Sequence, residues 1–320
     1  MGLSALGYQP WTKPLRGSWF SPWPIARTAA LMIFRRKLFW AFYVIALLNF
    51  MVFFSGIYLL SQIDVVALAE DNKPKQAQIW FVYVNNLQNL VEQLRHRLYL
   101  AGTGETFRNF FWLQGYIVIA VLAFGGAVLI GNDYQSGSLP FYLSKPLGRR
   151  HYLLGKLGAV GLLVNLMTTF PAVALFLQCG FLQGWDYFTA NWRLFWGILG
   201  YGAVLTVCLS LLVVTLASWL RKTVPLVAVW VGLLLFGRAL ATALVDNLLL
   251  SARWRLIDLW NDMYVIGSAC LGVEAKLGAT RRWISRPQPE LWEAALVLGV
   301  VCLVCLITLS RRIRAVEIVK

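Results

Sequence analysis

Six uncharged or nearly uncharged apolar runs constrain this chain more than any other feature. Each is about 20 residues long, the length a helix needs to cross a hydrocarbon core of ~30 Å. They lie at residues 38–60, 110–130, 157–178, 194–218, 225–245 and 291–309. A bilayer offers no water to the backbone, so each segment must satisfy its own N–H and C=O groups, which an α-helix does. The expected fold is therefore all-α, a polytopic membrane protein with six transmembrane helices. An N-terminal interfacial helix and two long extracytoplasmic segments complete that expectation. Composition agrees: 59% of residues are hydrophobic and 13% are charged, about half the charged share of soluble domains.

Six spans bring both ends of the sequence to one side. That side takes residues 1–37, 131–156, 219–223 and 310–320, with 16 Lys and Arg against two acids, Asp133 and Glu317. The opposite loops carry 12 Lys and Arg and 11 acids, while Glu293 lies at the head of span 6 and Arg238 within span 5. The positive-inside rule makes the basic side cytoplasmic. This places the chain in the cell (inner) membrane with both termini in the cytoplasm. The net charge of +15 is then a topology signal and a contact for anionic lipid, and a nucleic-acid partner is not expected.

Three regions follow. Residues 1–37 form a cytoplasmic tail, rich in Pro and Trp, that leads to a basic stretch at 25–37. This stretch is either a helix in the interface, with Arg27, Arg35, Arg36 and Lys37 toward phosphates, or the flank of span 1. Residues 38–309 form the six-span domain, with outer segments at 61–109 and 246–290. Within the first of these, 79–100 has helical spacing. Within the second, 250–266 mixes Trp254, Ile257, Leu259, Trp260 and Met263 with charges, the pattern of an amphipathic helix at the outer interface. Residues 310–320 form a basic cytoplasmic tail. Pro171 is expected to kink span 3. Nothing near the N-terminus reads as a cleaved signal peptide.

Much chemistry is missing. Gly155-Lys156 approaches a P-loop, but Arg150 stands where its first glycine belongs and Leu157 where its hydroxyl belongs. There is no nucleophile elbow, no H-E-x-x-H and no carboxylate pair within a span. The five cysteines and two histidines lack metal-site spacing. No catalytic residue and no metal ligand are assigned, and the chain is not expected to be an enzyme.

The loop at 131–156, GNDYQSGSLPFYLSKPLGRRHYLLGK, stands out. It alternates breakers (Gly131, Gly137, Pro140, Pro146, Gly148) with short apolar pieces, and ends in a basic, aromatic cluster that enters span 3. Residues 139–143 fit one short helix across the cytoplasmic face. The plainer alternative is a cytoplasmic turn with lipid-facing arginines.

The run Asp133-x-x-x-Gly137-Ser138-Leu139, then Leu143-Ser144-Lys145-Pro146, then Arg149-Arg150-x-Tyr152-Leu153-Leu154-Gly155-Lys156 resembles the signature of ABC-2 type transporter permeases. It departs modestly, with Asp133 for the usual Glu, Ser138 for Thr, and Tyr142-Leu143 for Leu-Leu. The resemblance implies the membrane subunit of an ATP-driven exporter. Two permeases, as a homodimer or heterodimer, would form the channel among membrane lipids. A separate ATP-binding cassette subunit would bind ATP and Mg, and this chain would bind no cofactor. The coupling residues carried over are Asp133, Gly137, Leu139, Phe141, Leu143, Pro146, Arg149, Arg150 and Lys156, and 25–37 becomes a connecting helix. The same resemblance makes the segment before span 6 re-entrant.

Other residues carry alternatives. Arg238 costs ~2.5–3.5 kcal/mol at mid-membrane, less nearer the surface. It either snorkels outward, with Asp246 as partner, or lines a pathway near the outer mouth. Asn49, Gln114 and Asn165 either hydrogen-bond between spans or line a path. Cys179 and Cys270 are a candidate disulfide on the outer side, while Cys302 and Cys305 read as packing residues. The rival to a permease is a non-transporting membrane anchor or assembly factor that acts through its outer segments.

Overall fold

The computed structural model describes residues 22–70, 99–126, 149–220, 222–275 and 287–312. Among the described residues every regular element is a helix. In chain order they are α1 (Pro22–Phe34), α2 (Lys37–Glu70), α3 (Gly104–Gly126), α4 (Arg149–Met167), α5 (Thr169–Gln183), α6 (Trp185–Ala190) and α7 (Trp192–Trp219). Then come α8 (Thr223–Val231), a π-helical turn (Gly232–Phe236), α9 (Gly237–Thr242), a second π turn (Ala243–Asn247) and a 3₁₀ turn (Ala252–Ile257). The last two are α10 (Leu259–Cys270) and α11 (Leu291–Arg312).

Six helical stretches are long and apolar enough to cross a membrane: Lys37–Gln62, Gly104–Gly126, Arg150–Gln183, Trp192–Trp219, Thr223–Asn247 and Leu291–Arg311. These are the six expected spans, with shifted ends. Span 2 starts six residues before 110, and span 3 begins at the arginine pair, so 149–156 is helix and not loop. The expected helix at 79–100 falls largely outside the described residues, and Tyr99 and Leu100 are not helical.

Close contacts fix the directions of spans 2 and 3. At one end, Ile33 of α1 faces Gly125 at the end of α3, and Ile25 faces Gly155 near the start of α4. At the opposite end, Gly102 just before α3 meets Cys179 of α5, and the Tyr187 hydroxyl of α6 donates to the Gly102 carbonyl at 2.6 Å. Spans 2 and 4 form the centre, 61% and 67% buried over their apolar windows, against 28% for spans 1, 5 and 6. The outer spans therefore leave most of their surface, such as Leu48, Phe236 and Leu303, to lipid or another chain. Lipid tails are as apolar as leucine, so burial alone does not drive helices together. Close packing and interhelical hydrogen bonds do.

The break in span 3 illustrates this. The helix is interrupted at Thr168, between α4 and α5. Pro171 has no N–H, so the carbonyl four residues earlier, Met167, loses its helical donor. Gln114 of span 2 supplies one instead: its Nε2 donates to the Met167 carbonyl at 2.6 Å. The expected kink thus comes with its own replacement bond.

Two expectations are corrected. Cys179 and Cys270 are both free. Cys179 packs against Gly102 beside Tyr187, whereas Cys270 faces Gly197 and Gly200 of span 4. Their helix ends carry them to different neighbours, so no disulfide joins them. The segment at 250–266 is not an amphipathic surface helix either. Its 3₁₀ turn leads into α10, which is buried on nearly every side, with Trp260, Met263, Tyr264 and the acids Asp258 and Asp262 all inside.

Candidate functional site

At the first end, Pro22 opens α1, a position where its missing N–H costs nothing. The apolar positions Ile25, Ala29, Ala30 and Ile33 lie on one face and are buried, while Arg27, Arg35, Arg36 and Lys37 are exposed. The buried face lies on α4. Its approach depends on small residues: a Cβ on Gly155 would sit 2.7 Å from the Ile25 Cβ and 3.0 Å from the Pro22 carbonyl, and one on Gly158 would sit 3.7 Å from the Ala26 Cβ. At the corner into span 1, the Trp40 indole donates to the Phe34 carbonyl at 2.8 Å, and Phe34 meets Phe39 edge-on with centroids 5.0 Å apart. The amphipathic helix and the helix leaving the 131–156 loop are therefore packed into one unit.

Of the residues assigned to coupling, Asp133, Gly137, Leu139, Phe141, Leu143 and Pro146 lie outside the described residues. Arg149 and Arg150 form the first turn of α4. Arg150 is exposed, but Lys156 is buried, with its ammonium 5.6 Å above the Tyr152 ring.

The mid-span polar residues join helices. Asn49 of span 1 donates to the Gln114 side-chain oxygen at 2.7 Å, and Gln114 Nε2 donates to the Ala46 carbonyl at 3.3 Å as well as to Met167. One glutamine therefore ties spans 1, 2 and 3. Asn165 of span 3 donates to the Thr206 hydroxyl of span 4 at 2.9 Å and accepts from Thr169 at 2.7 Å. The interhelical reading holds for all three residues that the sequence left open.

Toward the second end, Arg238 lies on α9 between the two π turns. Its guanidinium sits 5.0 Å from the Trp112 ring and 5.2 Å from the Tyr116 ring, both on α3. This is cation–π geometry. Trp260 and Tyr264 of α10 extend the aromatic cluster, with centroids 5.9 and 4.8 Å from Trp112. Asp246 accepts from the buried Arg255 at 2.6 Å. Arg238 is thus packed against span 2, a contact that no local pattern in the sequence announces. The two π turns were not foreseen either; such turns widen a helix and often occur at functional positions.

Comparisons with known proteins place these elements. A search of curated proteins finds no significant match. The family model described as ABC-2 family transporter protein matches residues 23–252, from the start of α1 through span 5 to the head of the 3₁₀ turn. That range covers the α1–α4 unit, the 131–156 loop and five of the six spans. The chain is an integral membrane protein with a transport permease role, and it belongs to the ABC-2 family of transporter proteins.

Proposed function

We propose that this chain is the permease subunit of an ABC-2 type exporter and moves substrate when a separate ATP-binding subunit drives it. The α1 end is the cytoplasmic side. The loop at 131–156 receives the ATP-binding subunit, and the first turn of α4 carries the push into the bundle. The observation that carries this reading is the close crossing of α1 on α4, seated on Gly155 and Gly158, within residues that match the family. A displacement of the loop moves α4, and α1 moves with it because Ile25 and the Pro22 carbonyl sit directly against Gly155. Arg150 faces outward from this unit, available to an acidic surface. Lys156, buried one turn beyond Tyr152, belongs to the same helix. Two such chains, alike or different, complete the channel, with the exposed faces of spans 1, 5 and 6 available to the second copy and to lipid.

The test is a mild-detergent pull-down of the tagged chain from its native membrane, with ATPase activity measured on the eluate. A variant carrying Arg149→Glu and Arg150→Glu runs beside it. An ATP-binding protein should co-purify with the wild type, and the variant should lose it or lose stimulated ATP hydrolysis. Intact chain with no ATP-binding protein in either sample would overturn the coupling.

A further inference from the structure

The fold buries an acid that the transport reading does not use. Asp262 on α10 is 0% exposed, and among the described residues neither of its carboxyl oxygens has a hydrogen-bond partner. One turn earlier, Asp258 is also buried but is satisfied: it caps α10 by accepting from the Trp260 and Asn261 backbone N–H groups at 3.1 and 3.2 Å. Two buried acids in consecutive turns of one helix thus have opposite circumstances.

The charges on the elements around α10 are committed elsewhere. On the 3₁₀ turn, Arg255 pairs with Asp246 and Arg253 with Glu293 of α11 at 2.8 Å. Arg238 of α9 lies over its two rings and attracts Asp258. On α3, Arg108 donates to the Glu274 carbonyl at 2.8 Å, and with Glu105 it acts on Tyr264. The titratable group that α7 presents to this helix is Tyr201, whose ring fills the notch at Gly267. None of these groups bonds to Asp262, and Cys270 lies two turns away at the end of α10.

An ionised carboxylate without a partner is too costly to bury, so such a group keeps its proton. We propose that Asp262 is a proton-binding site which latches α10 in place: the carboxyl holds a proton while α10 is docked and releases it to water when α10 leaves its seat. Docking is sterically tight. Trp260 occupies the space where a Cβ on Gly115 of α3 would be, 1.9 Å from its ring, and the Cys270 carbonyl lies 2.3 Å from where a Gly197 Cβ would be. Leaving that seat exposes Asp262. The site lies on an element beyond the matched residues 23–252 and stands whether or not an ATP-binding subunit is found.

α10 is not one of the six candidate spans. Burial, and then repulsion from Asp258, push the Asp262 carboxyl up to about 8. In water an aspartate titrates near ~3.9. The docked form therefore binds the proton more tightly, so docking is strongest at low pH. It weakens as pH rises from ~4 to ~8, by about tenfold in the opening equilibrium per pH unit, and then levels off because both forms are ionised.

Amide hydrogen exchange on the full chain in lipid nanodiscs reads this directly. Corrected for intrinsic chemistry, opening of residues 260–271 should rise by up to about tenfold per unit between pH 5 and 8 and flatten above. Asp262→Asn and Asp262→Leu should abolish the slope. A flat wild-type profile, or a slope that survives in Asp262→Asn, overturns the proposal. If the variants do not fold, the wild-type slope alone decides. Infrared spectra add an independent reading: a protonated-carboxyl band must be present in the wild type at pH 7, and its absence refutes the site.

Discussion

Gln114 shows how much one side chain carries at the residue scale. It accepts from Asn49, donates to two carbonyls on different spans, and replaces the bond that Pro171 removes. Gln114→Leu leaves the Met167 carbonyl and Asn49 without these bonds in an apolar interior, at a cost of roughly 1–3 kcal/mol. Reversible unfolding in mixed micelles checks this, and a double-mutant cycle with Asn49→Ala should give a coupling of about 0.5–2 kcal/mol. Unchanged stability would mean that the Met167 carbonyl finds another donor. The sequence showed that Asn49, Gln114 and Asn165 are polar groups inside spans, since each interrupts an apolar run. It did not show their partners, because Asn49 and Gln114 are 65 positions apart. For Arg238 the sequence offered the nearby Asp246, and the fold adds the faces of Trp112 and Tyr116 from span 2.

The informative contact between elements is the crossing of α1 on α4. Gly155→Leu puts a branched side chain where Ile25 and the Pro22 carbonyl already sit. Overpacking of this kind costs about 1–3 kcal/mol, and every 1.4 kcal/mol is tenfold in population. In nanodiscs, trypsin should then cleave after Arg27, Arg35 or Arg36 about tenfold faster than in the wild type, while the spans stay intact. Equal cleavage rates would mean that α1 is not held by this crossing. The elements were legible where composition alone decides them, since a long apolar run is a helix in lipid. They were not legible where tertiary contacts decide. The sequence read 149–156 as loop and 250–266 as a surface helix, because charged residues usually stay in water. Here the titratable side chains at 255, 258 and 262 are buried, the first two with partners and the third with none among the described residues.

For the whole molecule, the contacts at the two ends of spans 2 and 3 set α1 and α6 on opposite sides, and the charge count predicts which side is cytoplasmic. Arg36 and Trp185 are exposed at opposite ends. In intact cells, a membrane-impermeant maleimide should label Trp185→Cys directly and Arg36→Cys only after permeabilisation. The reverse pattern would invert the orientation and with it the side on which an ATP-binding subunit docks. Sequence by itself determined the number of spans, the all-helical class and the family resemblance of the 131–156 loop. These follow from local properties: run length against membrane thickness, and residue types at fixed spacing. Only the tertiary structure decided that Cys179 and Cys270 stay apart, that Lys156 and α10 are buried, and that Asp262 is buried without a hydrogen-bond partner among the described residues. Each depends on which helix lies beside which. That is set by glycine notches, by replaced hydrogen bonds and by ring faces contributed from distant parts of the chain.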